Sequence, residues 1–434
     1  AVLIYLYPLL WVTGLGALFF LITATASGFY LARARLCMES WILLGIASCI
    51  VLSIPIGLST FGFDPWRAVS ASGNIAVWVT LAGGISAGKI ANVRPHLSYA
   101  LITVAGIQGA ATLIAVAIYP RKLPIPLLTE QLASMPTGFR QFAARSLAYD
   151  GWLEGFAIRS SGLMAQPTWA GAFAALAAIV ALAELSRRRY QLLLTAAIFL
   201  CGVSVYYSLS RTTYLVTVPA LAVAGVFILR RRDRREFAMV LAIALPLLTV
   251  FVMSNWEHIS NLLARINSAR KGSLVARVEI YVQTWQYLQD LGLPLVGFGI
   301  KPQEAGFWAS IASHSTYLGL LFRGGVIALL LLLTLLVCLI RKVSIQHNAL
   351  GAAVLTVVTI WMVIGDLDVG HMLPLFLTFC VVAPQGQQNP VETEANVNKE
   401  PRFQEPKTLP RTPTSASTPP TATTSYLSLD RSAT

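Results

Sequence analysis

Five side chains carry what reaction chemistry the sequence offers. Ser313-His314-Ser315-Thr316-Tyr317-Leu318 opens an apolar run that continues as GLLFRGGVIALLLLL. An imidazole titrates near neutrality, so His314 can take a proton from a hydroxyl and release it again. Its plainer role would be to cap the run or bond a loop carbonyl. Arg211, in YSLSRTT between two apolar runs, offers a fork of donors that suits a phosphate; snorkelling to headgroups is the competing use. Arg277 leads into 278–290, a stretch of helical spacing that contains Trp285. Arg265, Arg270 and Lys271 add charge nearby, and Arg265 and Lys271 read as a solvated face. Arg159, in FAIRSSGL, stands ahead of Pro167, with Trp152 and Trp169 as interfacial anchors around it. Together Arg159, Arg211, Arg277 and Arg270 could hold a diphosphate without a metal. They would also neutralise charge on a leaving phosphate while His314 serves as base.

These residues are set in a chain of unusual composition. Of 434 residues, 56% are hydrophobic and 12% charged, about half the charge of a soluble domain. The apolar residues gather into runs of roughly 18 or more, long enough to cross a bilayer. In lipid every backbone amide must bond within its own segment, so the runs must be helices. Spans are expected near 1–24, 41–61, 72–88, 98–119, 168–185, 191–208, 213–229, 237–254, 314–340, 349–365 and 372–384. The first stretch has two readings: one span, or the end of one span, a turn at Thr13-Gly14 and a second span. The fold expected is an all-α integral membrane protein with about ten to twelve transmembrane helices.

The net charge of +13 does not point to nucleic acid. Much of it sits in clusters directly after apolar runs: Arg33 and Arg35, Lys89 and Arg94, Arg187 to Arg189, Arg230 to Arg235, Arg341 and Lys342. These fall on alternate connections, as the positive-inside bias requires. Segments 33–40, 89–97, 186–190, 230–236 and 341–348 are then cytoplasmic. Segments 62–71, 120–167, 209–212, 255–313 and 366–371 are extracytoplasmic. The two long outer loops, 120–167 and 255–313, exceed what a connector needs. A membrane domain over 1–384 is followed by 385–434, a Pro/Ser/Thr-rich tail expected to be disordered and cytoplasmic.

Other chemistries find little support. There is no P-loop and no HExxH, and no acid pair is expected to hold a divalent metal against a diphosphate. None of the five cysteines lies in either long outer loop, so no disulfide framework or metal cluster follows. No cofactor is expected. Outer acids are sparse, Asp366 and Asp368 among them, and His258 and His371 are the other outer histidines.

His314-Ser315, nine residues and then Gly325 resembles the His-[Asn/Ser]-x9-Gly pattern of O-antigen ligases and polymerases. Ser210-Arg211, Arg277 with Trp285, the turn Pro294-Leu295-Val296-Gly297-Phe298-Gly299 and Arg159-Ser-Ser-Gly-Leu before Pro167 are similar to that family as well. The likeness runs from about 156 to 330 and extends to Tyr7-Pro8 and Gly14-Leu15-Gly16. It implies a metal-independent glycosyltransferase of the bacterial inner membrane, with its active face extracytoplasmic. The donor would be an undecaprenyl-diphosphate-linked oligosaccharide and the acceptor a glycan or lipid-glycan. Arginines like Arg211 and Arg277 would engage the diphosphate, and a histidine like His314 would activate the acceptor hydroxyl or assist at the diphosphate. Two positions depart: Gly325-Val-Ile-Ala328 where the pattern often ends Gly-x-x-Gly, and Arg323 where many members carry Glu. The competing readings are protein O-glycosylation, a transporter or flippase of lipid-linked sugar, and a non-catalytic scaffold. Against transport stand the two long outer loops, the lack of internal repeats and the few ionisable residues at mid-membrane depth.

Overall fold

A computed structural model describes residues 2–33, 36–62, 65–88, 94–119, 148–149, 159–164, 166–185, 190–229, 271–302 and 311–366, with isolated positions between 127 and 264. The expected spans 237–254 and 372–384 and the tail 385–434 lie outside these residues, apart from single positions near 253. The described helices are α1 Val2–Thr13, α2 Gly16–Arg33, α3 Met38–Phe61, α4 Pro65–Gly88, α5 Arg94–Ile118, α6 Pro167–Leu185, α7 Gln191–Ser208, α8 Arg211–Leu229, α9 Lys271–Asp290, α10 Thr316–Ile345 and α11 Ala349–Ile364. A short antiparallel ladder, β1 Ala148–Tyr149 with β2 Arg159–Ser160, is the one departure from an all-helical chain among the described residues. Of the two readings of the first stretch, the structure takes the second. Gly14 turns with φ 91°, and its amide donates to the Trp11 carbonyl at the end of α1.

Among the described residues, five helices are long and apolar enough to cross a membrane: α3, α6, α7, α10 and Pro95–Ile118 of α5. Shorter apolar helices occur at Val2–Thr13, Leu18–Arg33, Ala71–Ala87 and Ala349–Ile364. The chain is a multi-pass, helical membrane protein. Helix α6 is buried nearly all round, with Trp169, Phe173, Leu176 and Val180 packed in the core. Its alanine-rich sequence lets neighbouring backbones approach closely, the usual means of helix association in lipid.

Side-chain contacts among the described residues tie helix ends together. Ser40 bonds Ala82 and Ser86, Lys342 pairs with Glu39, and Tyr99 reaches Glu184. The starts of α3 and α5 and the ends of α4, α6 and α10 therefore share one end of the bundle. At the other end Arg67 donates to the Lys301 carbonyl, Arg159 to that of Ser208, and Thr316 to that of Gly365. Helix α10 runs between the two ends, its 30 residues spanning about 45 Å at 1.5 Å each.

That helix is interrupted. Gly325 has φ 74° and ψ −171°, which opens the α10 ladder and would leave amides and carbonyls without partners in an apolar setting. The turn 294–299 fills the break. Phe298 and Gly299 donate to the carbonyls of Phe322 and Arg323 at 2.9 and 2.8 Å, while Val326 and Ile327 donate to those of Pro294 and Leu295 at 3.1 and 3.2 Å. Helix α3 closes over the patch. The Ser53 hydroxyl lies 2.6 Å from the Arg323 carbonyl, and a Cβ at Gly57 would collide with the Phe298 carbonyl. Phe61, Phe298 and Phe322 stack around it.

A Cβ at Gly325 would meet the Leu295 carbonyl and carry a strained φ. Gly325→Ala is expected to destabilise the protein by at least about 1–3 kcal/mol, read as a lower thermal midpoint in detergent. Gly202→Ala, where nothing lies within 4 Å of the added atom, should be neutral or stabilising by about 0.5–1 kcal/mol.

Candidate functional site

Helix α10 starts at Thr316 with Ser315 as its N-cap, its hydroxyl accepting from the Leu318 amide at 3.5 Å. In the preceding turn two non-glycine residues are left-handed, Ala312 at φ 59° and His314 at φ 66°. Such backbone persists only when its surroundings over-determine it, and here they do. Thr284 accepts from the Ala312 amide at 2.8 Å, Lys301 Nζ lies 2.5 Å from the Ala312 carbonyl, and Tyr281 donates to the His314 carbonyl at 2.7 Å. The Thr316 hydroxyl ties the start of α10 to Gly365 at 2.8 Å. His314 is thus held at a fixed place at the mouth of α10, its side chain half-buried.

The arginines come from separate connections. Arg159 lies on β2, 7% exposed, its Nε donating to the Ser208 carbonyl at 2.8 Å. The turn that follows it is anchored from below: Gln108 takes Ser161 and Leu163, and Tyr7 donates to the Leu163 carbonyl at 2.8 Å. Two stretches that resembled the same family, at Tyr7 and at Arg159-Ser-Ser-Gly-Leu, are therefore in contact. Ser208 ends α7, Leu209 turns with φ 44°, and Ser210 accepts from the Thr213 amide at 3.2 Å to start α8. Arg211 follows that cap, at the mouth of its span. Burial, and after it the positive charge of Arg277, weigh against its protonated form. The two guanidiniums are therefore close enough to repel, an arrangement that an anion would relieve.

Arg277 sits on α9 and donates to the Ile364 carbonyl at 3.4 Å. One turn later Tyr281 reaches His314 at 2.7 Å and Val363 at 3.4 Å. Burial raises its phenol above the usual tyrosine value, opposed by the charge of Arg277. Ile280, Thr284 and Leu288 turn inward, while Val275, Val278, Val282 and Trp285 form an exposed apolar stripe, as expected of a helix lying along an interface. The structure thus brings Arg211 beside Arg277, ties Arg277 and His314 to the same end of α11, and joins Arg159 to the strand of chain leading into Arg211. Arg270 lies outside the described residues.

Three further charged groups stand at this end. Asp366 accepts from Lys301 Nζ at 2.5 Å and from Arg323. The side chains are 12%, 15% and 9% exposed for Lys301, Asp366 and Arg323. Arg323, a departure from the family pattern, is matched by this carboxylate. Lys301, Tyr281 and Thr284 had no role in the sequence reading. A charge inside an apolar run was the one available signal, at Arg323. The sequence also contains an outer Asp-x-Asp pair, Asp366-Leu367-Asp368, where none was expected. Asp366 is committed to two cations, which disfavours a third on the same carboxylate, and Asp368 lies outside the described residues. Asp366→Ala leaves Lys301 and Arg323 without their counter-charge. It should cost about 3–5 kcal/mol, seen as a markedly lower thermal midpoint, whereas Asp366→Glu should recover part of the loss.

No curated protein gives a match to the chain. Residues 196–333 match the family model described as O-Antigen ligase. That segment runs from within α7 to the middle of α10 and includes Arg211, Arg277, His314, the turn 294–299 and the break at Gly325; Arg159 and Asp366 fall outside it. About a third of the chain is thus similar to the O-antigen ligase family.

Proposed function

We propose that this protein transfers a glycan from undecaprenyl diphosphate to an acceptor hydroxyl at the outer face of the cytoplasmic membrane, without a metal. A general role in glycan transfer follows from the O-antigen ligase domain. The observation that carries the finer reading is the juxtaposition of Arg211 with Arg277, on a helix that also bonds the His314 turn. Two guanidiniums in mutual repulsion suit a diphosphate, each able to take two phosphate oxygens. Arg159, tied to Ser208, supports that segment and extends the grip; Arg270 would add charge at its edge.

In the reaction the acceptor oxygen attacks the anomeric carbon of the donor. The bond from that carbon to the diphosphate oxygen breaks, and its electron pair leaves with undecaprenyl diphosphate. Arg211 and Arg277 stabilise the charge that develops there, the larger part of what such a site can contribute. His314 takes the acceptor's proton as the new glycosidic bond forms. Polymerisation is preferred to ligation, since nothing points to a lipid A acceptor. Transfer to protein is the alternative within the class, and transport of lipid-linked sugar the alternative outside it.

Arg277→Ala is expected to abolish long-chain glycan while protein level and membrane insertion stay normal, read by gel analysis of envelope glycans. Persistence of long chains would refute the diphosphate role. His314→Ala separates transfer from transport: a flippase should tolerate it and a transferase should not. Activity of the reconstituted protein should survive EDTA. Loss in chelator with recovery in Mg²⁺ would overturn the metal-independent mechanism and return Asp366 and Asp368 to consideration.

A further inference from the structure

Three contacts trace the path of the chain beside α10. Tyr281 on α9 donates to the His314 carbonyl at the mouth of that helix. Leu295 then accepts from the Ile327 amide, about three turns further in. By Lys301 the chain is back at the mouth, where Nζ reaches Ala312 and Asp366. The segment between Tyr281 and Lys301 thus enters alongside α10 and leaves on the side it came from.

Its depth follows from α10 itself. Arg341, exposed near the opposite end, marks one edge of the apolar layer, since a charge there stays with the headgroups. By the rise of an α-helix, Thr316 is about 37 Å from Arg341 and Ile327 about 21 Å. The hydrocarbon is about 30 Å thick. The mouth with His314 therefore stands among the headgroups, while Leu295 lies within the hydrocarbon. Tilting α10 only deepens Leu295.

What the segment shows at that depth is leucine. Leu291, Leu293 and Leu295 are 43%, 58% and 65% exposed, while Leu288 and Phe298 turn into the bundle. Irregular backbone survives at such depth only against protein, and this turn has that cover through its bonds to α10; Pro294 has no amide to satisfy. Exposed apolar residues of two spanning helices flank it: Ile327 and Leu330 on α10, Leu52 and Ile56 on α3. Ser53 and Gly57 hold α3 against the same patch. The leucines continue the lipid-facing surface of these two helices. Gln289 and Asp290, exposed just before them, mark where the watered part of the segment ends.

We propose that Leu291, Leu293 and Leu295 dock against the acyl chains of the surrounding leaflet, so that residues 291–299 form a re-entrant turn in the membrane. The stretch 255–313, expected from sequence to be one outer loop, is then divided by an excursion into lipid. This holds whatever reaction the site performs. For the site the consequence is one of height: the leucines set how deep α9 sits, and with it the level at which Arg277 meets the headgroups.

The test uses the full-length protein in liposomes of phosphatidylethanolamine and phosphatidylglycerol, doped with a phospholipid that carries a diazirine in one acyl chain. Irradiation inserts the resulting carbene into whatever touches the chains, and mass spectrometry maps the adducts. In the wild-type protein, residues 291–295 should be labelled to within about threefold of residues 330–337 on α10. A second measurement places a spin label at Leu293→Cys or Leu295→Cys, each in a chain whose five native cysteines are replaced. Collision with O2 should exceed collision with the water-soluble nickel–EDDA complex at both sites, as at Leu330→Cys. The order should invert at Glu279→Cys, an exposed position on α9. Equal reach of the nickel complex at 293, 295 and 279 would place the turn in water. Exclusion of both reagents from 293 and 295, or carbene labelling of α10 without 291–295, would mean that protein covers the leucines. Any of these results overturns the proposal, and the wild-type labelling decides it if a cysteine variant fails to fold.

Discussion

Everything at the functional end of the bundle depends on satisfying the backbone where α10 breaks. In a setting without water an opened helix ladder is costly, and the turn 294–299 meets that cost with four hydrogen bonds to residues 322–327. This explains why the glycine that closes the His-Ser-x9-Gly spacing and the Pro-Leu-Val-Gly-Phe-Gly turn belong together. They are two halves of one repair. With the turn in place, the chain from 300 onward leaves at a fixed point, Lys301 reaches both Ala312 and Asp366, and the strained turn bearing His314 is held from below.

The balance of charge around that turn is uneven. Arg67, Arg159, Arg211, Arg277, Lys301 and Arg323 share the end of the bundle where Asp366 is the acid drawn into their network. The carboxylate pairs with Lys301 and Arg323, while the charge of Arg277 bears on Arg211. An enclosed region of one sign concentrates ions of the other, which fits the phosphate chemistry proposed. Lys342 lies at the far end, where Glu39 meets it.

Much of this was legible in the sequence, for reasons that can be named. Long apolar runs marked the described helices, because that rule acts through local composition. Arg159, Arg211, Arg277 and His314 stood out because charge at the mouth of a span is costly without a purpose. The relation between Arg211 and Arg277, and the ties joining the His314 turn to α9 and α11, lie in tertiary contacts that no local pattern encodes. Lys301 looked like any loop lysine. Asp366 stood among sparse outer acids with no hint of its two cationic partners, 65 and 43 positions away. Thr13-Gly14 could be a turn or a bend within one span, and only the packing of α1 and α2 decides between them.

Helix α9 carries Arg277, Tyr281 and Thr284 on a single rod of 20 residues, and that fact has a mechanical side. A rod transmits displacement along its length. Any tilt that loosens the guanidinium from its ligand also pulls on the phenol and threonine that secure the imidazole's turn. In the proposed reaction, releasing the spent carrier and resetting the base would then be one motion, and its apolar outer stripe would let the surrounding lipid bear on both at once.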